Sequence, residues 1–212
     1  SEHQIVAVVL NNLAKLYQTQ GRYEEALPYL QRSLKIKEKT VGPKHPSFAK
    51  GLVNLGELNR NLGNNAKAES LFRRSLSIQE NVLGPEHPDV ALTLNNLALV
   101  YLGLVRFAEA DPLLQRSLTI REKALGPEHP DTAQSLNNLA ILYLNQGRHR
   151  KAEPSFLRSL AIWEKKLGPD HPYIVMSLGN LALVSEKMGK KKEAAEFSAR
   201  AEAMKKRLAG RK

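Results

Sequence analysis

Apolar residues return every three or four positions along most of the chain, and short polar breaks separate the periodic stretches. The first stretch carries them at Leu10, Leu13, Ala14 and Tyr17. The second carries them at Ala26, Leu30 and Leu34, after a break at Gln20-Gly21-Arg22. This spacing places apolar side chains on one face of an α-helix. The pattern predicts a pair of amphipathic helices, the second of which ends near Val41.

The helical pair recurs with a period of 42 residues. A Gly-Pro pair marks the boundary between copies, at Gly42-Pro43, Gly84-Pro85, Gly126-Pro127 and Gly168-Pro169. A fixed period of this length is the signature of a stacked repeat array. The 212 residues therefore divide into copies 1–42, 43–84, 85–126, 127–168 and 169–210. We predict one elongated domain, 1–212, in which each copy packs on its neighbours.

Three positions keep one size of residue in all copies, and they predict the packed interior. A large residue recurs at Leu13, Leu55, Leu97, Leu139 and Leu181. Small ones recur at Ala14, Gly56, Ala98, Ala140 and Ala182 in the first helix, and at Ala26, Ala68, Ala110, Ala152 and Ala194 in the second. Alternating large and small side chains let two helices interlock. These positions are predicted to be structural.

The repeated motifs resemble the tetratricopeptide repeat over essentially the whole chain. The resemblance is carried by the small–large pattern and by tyrosines that close the first helix, Tyr17, Tyr101 and Tyr143. The family's usual period is about 34 residues, so a longer period indicates an extended second helix and connector. The motifs Leu-Asn-Asn-Leu-Ala, Gln-Gly-Arg, Arg-Ser-Leu and Leu-Gly-Pro-Glu-His-Pro are similar to those of kinesin light chain and its bacterial relatives. The resemblance implies an all-α fold, a right-handed α-solenoid (superhelix) of five helix-turn-helix units.

Composition narrows the classes of function. The absence of cysteine excludes disulfides and thiol chemistry. No apolar run approaches the roughly 20 residues that a membrane span requires. The start, Ser1-Glu2-His3-Gln4, lacks the features of a signal peptide. These observations favour a cytoplasmic protein, and the start in phase with the repeat suggests a domain of a longer one.

The net charge of +11 is unevenly distributed. Copy three carries −1, whereas residues 169–212 carry +5. A basic balance favours acidic partners. Nucleic-acid binding is disfavoured, because basic residues do not alternate with aromatic ones and no matching motif occurs. In the last copy Ser198 and Glu202 replace apolar residues, which is typical of a terminal repeat with a polar outer face.

Histidine recurs at one position, as His3, His45, His87, His129 and His171. Metal ligands must converge on one point, whereas one histidine per copy would be spaced along the array. We therefore predict a helix-capping or packing role, and neither a metal nor another cofactor. No nucleophile–base pair or Gly-rich phosphate loop stands out from the repeat, which favours a non-enzymatic chain.

Asparagine occupies the middle of the first helix in every copy, as Asn12, Asn54, Asn96, Asn138 and Asn180. Asparagine is a mediocre helix former, so its recurrence requires a reason. The resemblance implies that first helices line the concave face, where this amide hydrogen-bonds a peptide backbone. An amide offers both a donor and an acceptor for that purpose. Alternatively, the asparagines bond to neighbouring copies and only fix their stacking.

Further groove candidates flank the asparagines. One turn before them stand Val8, Lys50, Leu92, Gln134 and Met176, and three residues after them stand Lys15, Glu57, Leu99, Ile141 and Leu183. These positions predict a groove that is mixed at its N-terminal end, with Lys15 and Lys50, and apolar from the third copy onward. Families that clamp a terminal carboxylate carry more lysine and asparagine here, which argues against that mode.

A third row lies near the end of the second helix, at Lys37, Gln79, Arg121, Trp163 and Lys205. Its spacing from the packed residues places it at the margin between core and solvent. In kinesin light chain the residue that matches Arg121 contacts acidic peptides, so the resemblance implies the same role here. Trp163 would stack on a ligand or pack between copies, and packing is favoured. The row Arg32, Arg74, Arg116, Arg158 and Arg200 is expected to be solvated or ion-paired.

We interpret the chain as a protein–protein interaction module that binds a peptide or protein partner of acidic character on the concave face. The alternative is a structural scaffold or self-assembling array without a groove ligand. No small-molecule substrate is expected, and the oligomeric state is left open.

Overall fold

The computed structural model describes residues 4–209, which form helices joined by short turns. The helices are α1 (Gln4–Thr19), α2 (Tyr23–Thr40), α3 (Pro46–Asn61), α4 (Asn65–Leu83), α5 (Pro88–Gly103), α6 (Phe107–Leu125), α7 (Pro130–Asn145), α8 (His149–Leu167), α9 (Pro172–Lys187) and α10 (Lys191–Ala209). No strand occurs between residues 4 and 209. Each copy contributes a shorter first helix and a longer second helix, so the predicted all-α class and helix-turn-helix units are confirmed.

The chain divides after Leu104 into two compact units, the first with α1–α5 and the second with α6–α10. In the first unit α1 pairs with α2 and α3 with α4, while α2 and α4 pack in turn on α3 and α5. In the second unit α7 pairs with α8 and α9 with α10, while α6 and α8 pack on α7 and α9. Within each unit a second helix therefore packs on the first helix of the next copy. One array over all five copies stays a prediction.

The small residues lie where helices of one copy approach most closely. Ala14 and Ala26 are fully buried with Leu30 in one apolar cluster of the first unit. At Gly56 the packing is tight, since a Cβ atom there would lie 2.7 Å from Cε1 of Phe72. The predicted interior is confirmed except at Leu13, Ala182 and Ala194, which are half-buried.

Histidine caps the first helix of four copies. In each case Nδ1 accepts a hydrogen bond from the backbone N–H two residues later, and a proline opens the helix; the caps are His45, His87, His129 and His171. The donor–acceptor distances are 3.0 to 3.3 Å. The predicted capping role is confirmed for these four, and His3 lies outside the described residues.

A left-handed residue turns the chain from the first helix to the second. Glycine takes this conformation at Gly21, Gly63, Gly147 and Gly189, with φ between 72° and 77°. Copy three has Val105 at the same position, with φ 60° and 68% of its surface exposed. A β-branched residue is strained in this region, because its Cβ crowds the following carbonyl oxygen. Val105 is therefore a site of backbone strain between α5 and α6.

We expect Gly56→Leu to destabilise the fold by about 1–3 kcal/mol, because its side chain would collide with the buried Phe72 ring. Denaturant titration followed by circular dichroism measures the loss. Gly179→Leu is the matched control, since a Cβ at Gly179 has no heavy atom within 4 Å. The free energy of unfolding of the control should rise by up to about 0.8 kcal/mol, because leucine has a higher helix propensity than glycine. Equal effects at the two positions would contradict the packing described above.

Val105→Gly should stabilise the protein by up to about 1 kcal/mol, because relief of the left-handed strain exceeds the added entropy of the unfolded chain. The reverse exchange, Gly147→Val, should cost about 1–2 kcal/mol at the equivalent position. Thermal melts of both variants test the pair. A loss of stability in Val105→Gly would show that the valine side chain contributes more than its backbone costs.

Candidate functional site

An open groove of about 540 Å³ lies in the first unit between α1 and α3. Its lining consists of Asn11, Asn12, Lys15, Gln18, Thr19, Tyr23, Leu30, Lys50, Asn54, Glu57 and Asn61. We name it the first-copy groove. It brings together four of the predicted site residues, namely Asn12, Lys15, Lys50 and Asn54. Most of its lining side chains are polar, and two of them are basic.

The charges of the first-copy groove are mixed. Lys15 and Lys50 are exposed, whereas Glu57 in the same lining is half-buried. Burial raises the pKa of the Glu57 carboxyl, although a hydrogen bond from Asn96 and the charges of Arg60 and Lys15 act in the opposite direction. The groove therefore presents two accessible ammonium groups and one carboxylate that is costly to ionise.

The asparagines of the repeated row have different surroundings. Asn54 donates from Nδ2 to Oδ1 of Asn11 at 2.6 Å, and Asn96 donates from Nδ2 to Oε1 of Glu57 at 2.6 Å. Both bonds join neighbouring copies. Asn12 is exposed and Asn180 half-buried, whereas Asn138 is 3% exposed and accepts from Gln134. The row thus supplies contacts between copies at two positions and accessible amides at others.

Four of the five residues in the row near the end of the second helix are buried, which corrects their predicted place at the margin of the core. Lys37 is 8% exposed, Arg121 3% and Trp163 0%. Arg121 donates to the carbonyl oxygen of Asp131 at 2.7 Å and to Oγ of Ser135 at 3.0 Å. Burial lowers the pKa of the Arg121 guanidinium. These three side chains are enclosed and present little surface to a ligand.

The following copy is what encloses this row. The ring of Trp163 lies 5.1 Å from the ring of Tyr173 in α9, while its Nε1 donates to the carbonyl of Pro130 in its own copy at 3.3 Å. Gln79 accepts a 2.6 Å hydrogen bond from Thr93 in α5. Lys205, in the last copy, is exposed and pairs with Glu202. Spacing along one helix could not reveal this burial, because the covering helix belongs to the next copy.

The recurring arginines of the second helix form ion pairs between copies. Each pairs with a glutamate of the preceding second helix, as Arg74–Glu38, Arg158–Glu122 and Arg200–Glu164. The participants are largely exposed, so each pair contributes about 1 kcal/mol or less. The predicted ion-paired face is confirmed for these three copies.

Sequence reasoning missed several groove residues, among them Asn11, Gln18 and Tyr23. The doubled asparagine was an available signal, since Asn-Asn occurs at 11–12, 95–96 and 137–138.

The apolar positions expected farther along are partly accessible, with Leu92 39% exposed in the first unit and Met176 39% and Leu183 41% in the second.

Residues 4–209 contain no group of three or more His, Asp or Glu side chains placed to hold a metal ion. In the same part of the chain, no helix combines the length and the apolar character needed to cross a membrane.

Comparison with known families agrees with the repeat. Models of the tetratricopeptide repeat match residues 6–47 and, in three overlapping segments, 47–123, 104–165 and 142–207. The chain therefore belongs to the tetratricopeptide repeat family. Members of this family are in general protein-interaction modules. A comparison with curated protein sequences gives no significant match.

Solved structures specify the type of repeat. A protein of Podosopora anserina described as a kinesin light chain, with nearly identical repeats, is 28% identical and has a TM-score of 0.77 over 98% of this chain and 99% of that one. BtubC (BKLC) from P. vanneervenii has a TM-score of 0.81 at 23% identity, over 95% and 80% of the two chains. Aspartyl phosphate phosphatase F from Bacillus subtilis has a TM-score of 0.78 at 15% identity, over 97% of this chain and 53% of that one. The last two likenesses concern the fold alone. The repeats are of the kinesin-light-chain-like type.

We expect Glu57→Gln to stabilise the protein at neutral pH. The pKa of Glu57 is higher in the folded protein than its ordinary value, so the folded state holds the proton of this carboxyl more tightly than the unfolded state does. Ionisation of Glu57 above the raised pKa therefore lowers the stability of the fold. Glutamine removes this cost and keeps an acceptor for Asn96. The gain should shrink as the pH falls through the raised pKa toward 4.5, the ordinary value. Thermal melts of both proteins across this range test the prediction, and a pH-independent difference would contradict it.

Proposed function

We propose that the chain binds a protein or peptide partner of acidic character through the first-copy groove. The observation that carries the proposal is the convergence of Lys15, Lys50, Asn12 and Asn54 on one open surface. Amides bond both the N–H and the C=O of an extended backbone, and exposed ammonium groups attract carboxylates. The module would act in the cytoplasm and without catalysis of its own.

Three features support an acidic partner. Lys15 and Lys50 are exposed, and the one carboxylate in the same lining, that of Glu57, is half-buried. The chain as a whole carries a net charge of +11, which steers acidic molecules toward it.

Arg121 and Trp163 are left out of the proposed binding surface, because both are buried. Lys37 is left out for the same reason.

A structural scaffold without a groove ligand is the second candidate, and a specific observation favours it. The hydrogen bonds Asn54–Asn11 and Asn96–Glu57 join neighbouring copies, so these amides already have partners. A buried amide that loses its partner costs about 1–3 kcal/mol. The asparagines could therefore recur because the stacking of copies requires them.

A peptide selection tests the groove. The chain is used to select from a display library of random 12-residue peptides, and we expect the selected peptides to be rich in Asp and Glu. Lys15→Ala/Lys50→Ala should weaken a selected peptide about tenfold, since two exposed charge contacts contribute about 0.7 kcal/mol each. Affinity should also fall with added salt, because exposed charges are screened over about 8 Å.

Lys35→Ala/Lys44→Ala is the matched control, since it removes the same charge from exposed positions of the same unit outside the groove. If both double variants weaken peptide binding equally, the groove assignment is wrong. Asn54→Ala separates the two candidates. A lower melting temperature with unchanged peptide affinity supports the scaffold, whereas a loss of affinity supports the groove.

A further inference from the structure

A strongly basic pocket lies in the second unit, between the turn that leads into α8 and the turn that joins α9 to α10. Its volume is about 710 Å³. Among the described residues of its lining, none is an Asp or a Glu. Five of the lining side chains are cationic, namely Arg148, Arg150, Lys151, Lys187 and Lys190. We call this surface the basic pocket, and it shares no residue with the first-copy groove.

The charge of the basic pocket is specific to copies four and five. Its eight lining positions recur in each earlier pair of successive copies, where they carry a net charge of −1, +2 and +1 in chain order. The basic pocket carries +5 at the same positions. Lys187, for example, stands where the other copies have Thr19, Asn61, Gly103 and Asn145. The repeated fold alone therefore does not account for these cations.

In copies one and three the first turn of the second helix holds a carboxylate of its own. Nε of Arg22 donates to Oε1 of Glu25 at 2.6 Å, and Nε of Arg106 donates to Oε1 of Glu109 at the same distance. Each glutamate lies three residues after its arginine, in the first turn of the helix. A negative charge there is favoured by the positive end of the helix dipole.

Copy four has Lys151 in place of this glutamate, whereas Arg148 keeps the position of the arginine. The first turn of α8 contains no acidic residue. Cations at this end of a helix are disfavoured by the dipole, so Arg150 and Lys151 lower the stability of α8. The same arrangement attracts an anion. Side chains that are unfavourable for the helix and favourable for an anion indicate a binding site.

The protein neutralises only part of this charge. Nζ of Lys190 lies 2.6 Å from Glu153 and 3.3 Å from Glu193. Nη1 of Arg148 lies 3.9 Å from Asp111, which is a long separation for an ion pair. The other three cations are exposed and pair with no carboxylate between residues 4 and 209, namely Arg150, Lys151 and Lys187. Three positive charges are thus available to a ligand.

A phosphate monoester matches this surplus better than a carboxylate does. It carries about −1.5 to −2 charges at pH 7 and three strong acceptor oxygens, whereas a carboxylate carries a single charge. Nucleic acid fits less well, because bases stack on exposed aromatic rings and no Phe, Tyr or Trp is among the described residues of the lining. A phosphorylated protein also agrees with the general role of the family in protein interactions.

We propose that the basic pocket binds a phosphorylated serine or threonine of a partner protein. The phosphate would lie beside Arg148, at the place that the carboxylates of Glu25 and Glu109 take in their own copies. Lys151 from α8 and Lys187 from α9 would donate to the same group. Clustered cations of this kind recognise phosphate through charge-assisted hydrogen bonds. The inference is independent of the first-copy groove, which lies in the other unit.

A phosphopeptide library supplies the probe. The full chain is immobilised and incubated with random peptides that carry a fixed central phosphoserine, and the sequence retained best is labelled with a fluorophore. Fluorescence polarisation should give saturable binding. The same peptide with unmodified serine should bind at least about tenfold more weakly, because the charged hydrogen bonds are lost. The proposal is wrong if phosphate makes no difference to the affinity.

Lys151→Glu tests the location of the site, because it restores the glutamate of copies one and three. It should weaken the phosphopeptide by at least about tenfold, since a carboxylate repels the phosphate. Lys67→Glu is the matched control, because it makes the same change at the same position of α4, where Lys67 is also exposed. The control should leave the affinity within about twofold. Equal weakening by the two variants would overturn the proposal.

Thermal melts separate loss of the site from loss of the fold. Lys151→Glu should melt at the same temperature as the parent chain or higher, since the new carboxylate can pair with Arg148 as Glu109 pairs with Arg106. A lower melting temperature would contradict an anion site at Arg148.

Two further measurements distinguish other occupants and other sites. Lys15→Ala/Lys50→Ala should leave phosphopeptide affinity within about twofold, because those residues lie in the first-copy groove. Loss of binding in that variant would assign the phosphopeptide to the groove and overturn the present proposal. Tighter binding of a single-stranded RNA, with the same sensitivity to Lys151→Glu, would assign the basic pocket to nucleic acid, and the proposed phosphoprotein would be wrong.

Discussion

The packing of each second helix on the first helix of the next copy is the interaction on which the rest of the structure depends. A single pair of amphipathic helices has two apolar faces and can cover only one of them by itself. The fully buried residues at the position of Leu58 are covered because another copy precedes them in the stack, as Ala14, Ala26 and Leu30 do for Leu58. Stability is therefore distributed along each unit, and it rests on the fit of large residues over small ones, as at Gly56 and Phe72.

The same packing decides which recurring polar residues remain available for recognition. Gln79 and Arg121 are enclosed by the next first helix and satisfy their hydrogen bonds there. Lys15 and Lys50 project from the first helices α1 and α3 into the groove, and they remain exposed there. Whether a recurring polar residue is accessible thus depends on whether a neighbouring helix packs against it. For this reason the basic residues Arg121 and Lys15 differ, the first being enclosed and the second exposed.

The first and last helices, α1 and α10, differ at the positions that contact a neighbouring copy elsewhere in the chain. At α10 the positions that would contact a further copy are Ser198, Glu202 and Lys205, which tolerate water. At α1 the corresponding positions are apolar, and Val9 and Leu16 are more than half exposed. The outer face of α10 is thus polar at these positions, whereas that of α1 is apolar.

The sequence by itself determined the period, the helical pairs and their interior, because amphipathic spacing and the size of a side chain are local properties that recur in phase. It also determined the histidine caps, since a cap and the N–H groups that it bonds lie within one turn. Tertiary structure alone decided that Trp163 and Arg121 are buried and that Asn54 bonds to Asn11. Those facts depend on residues about 10 to 43 positions away, and spacing along a single helix carries no information about them.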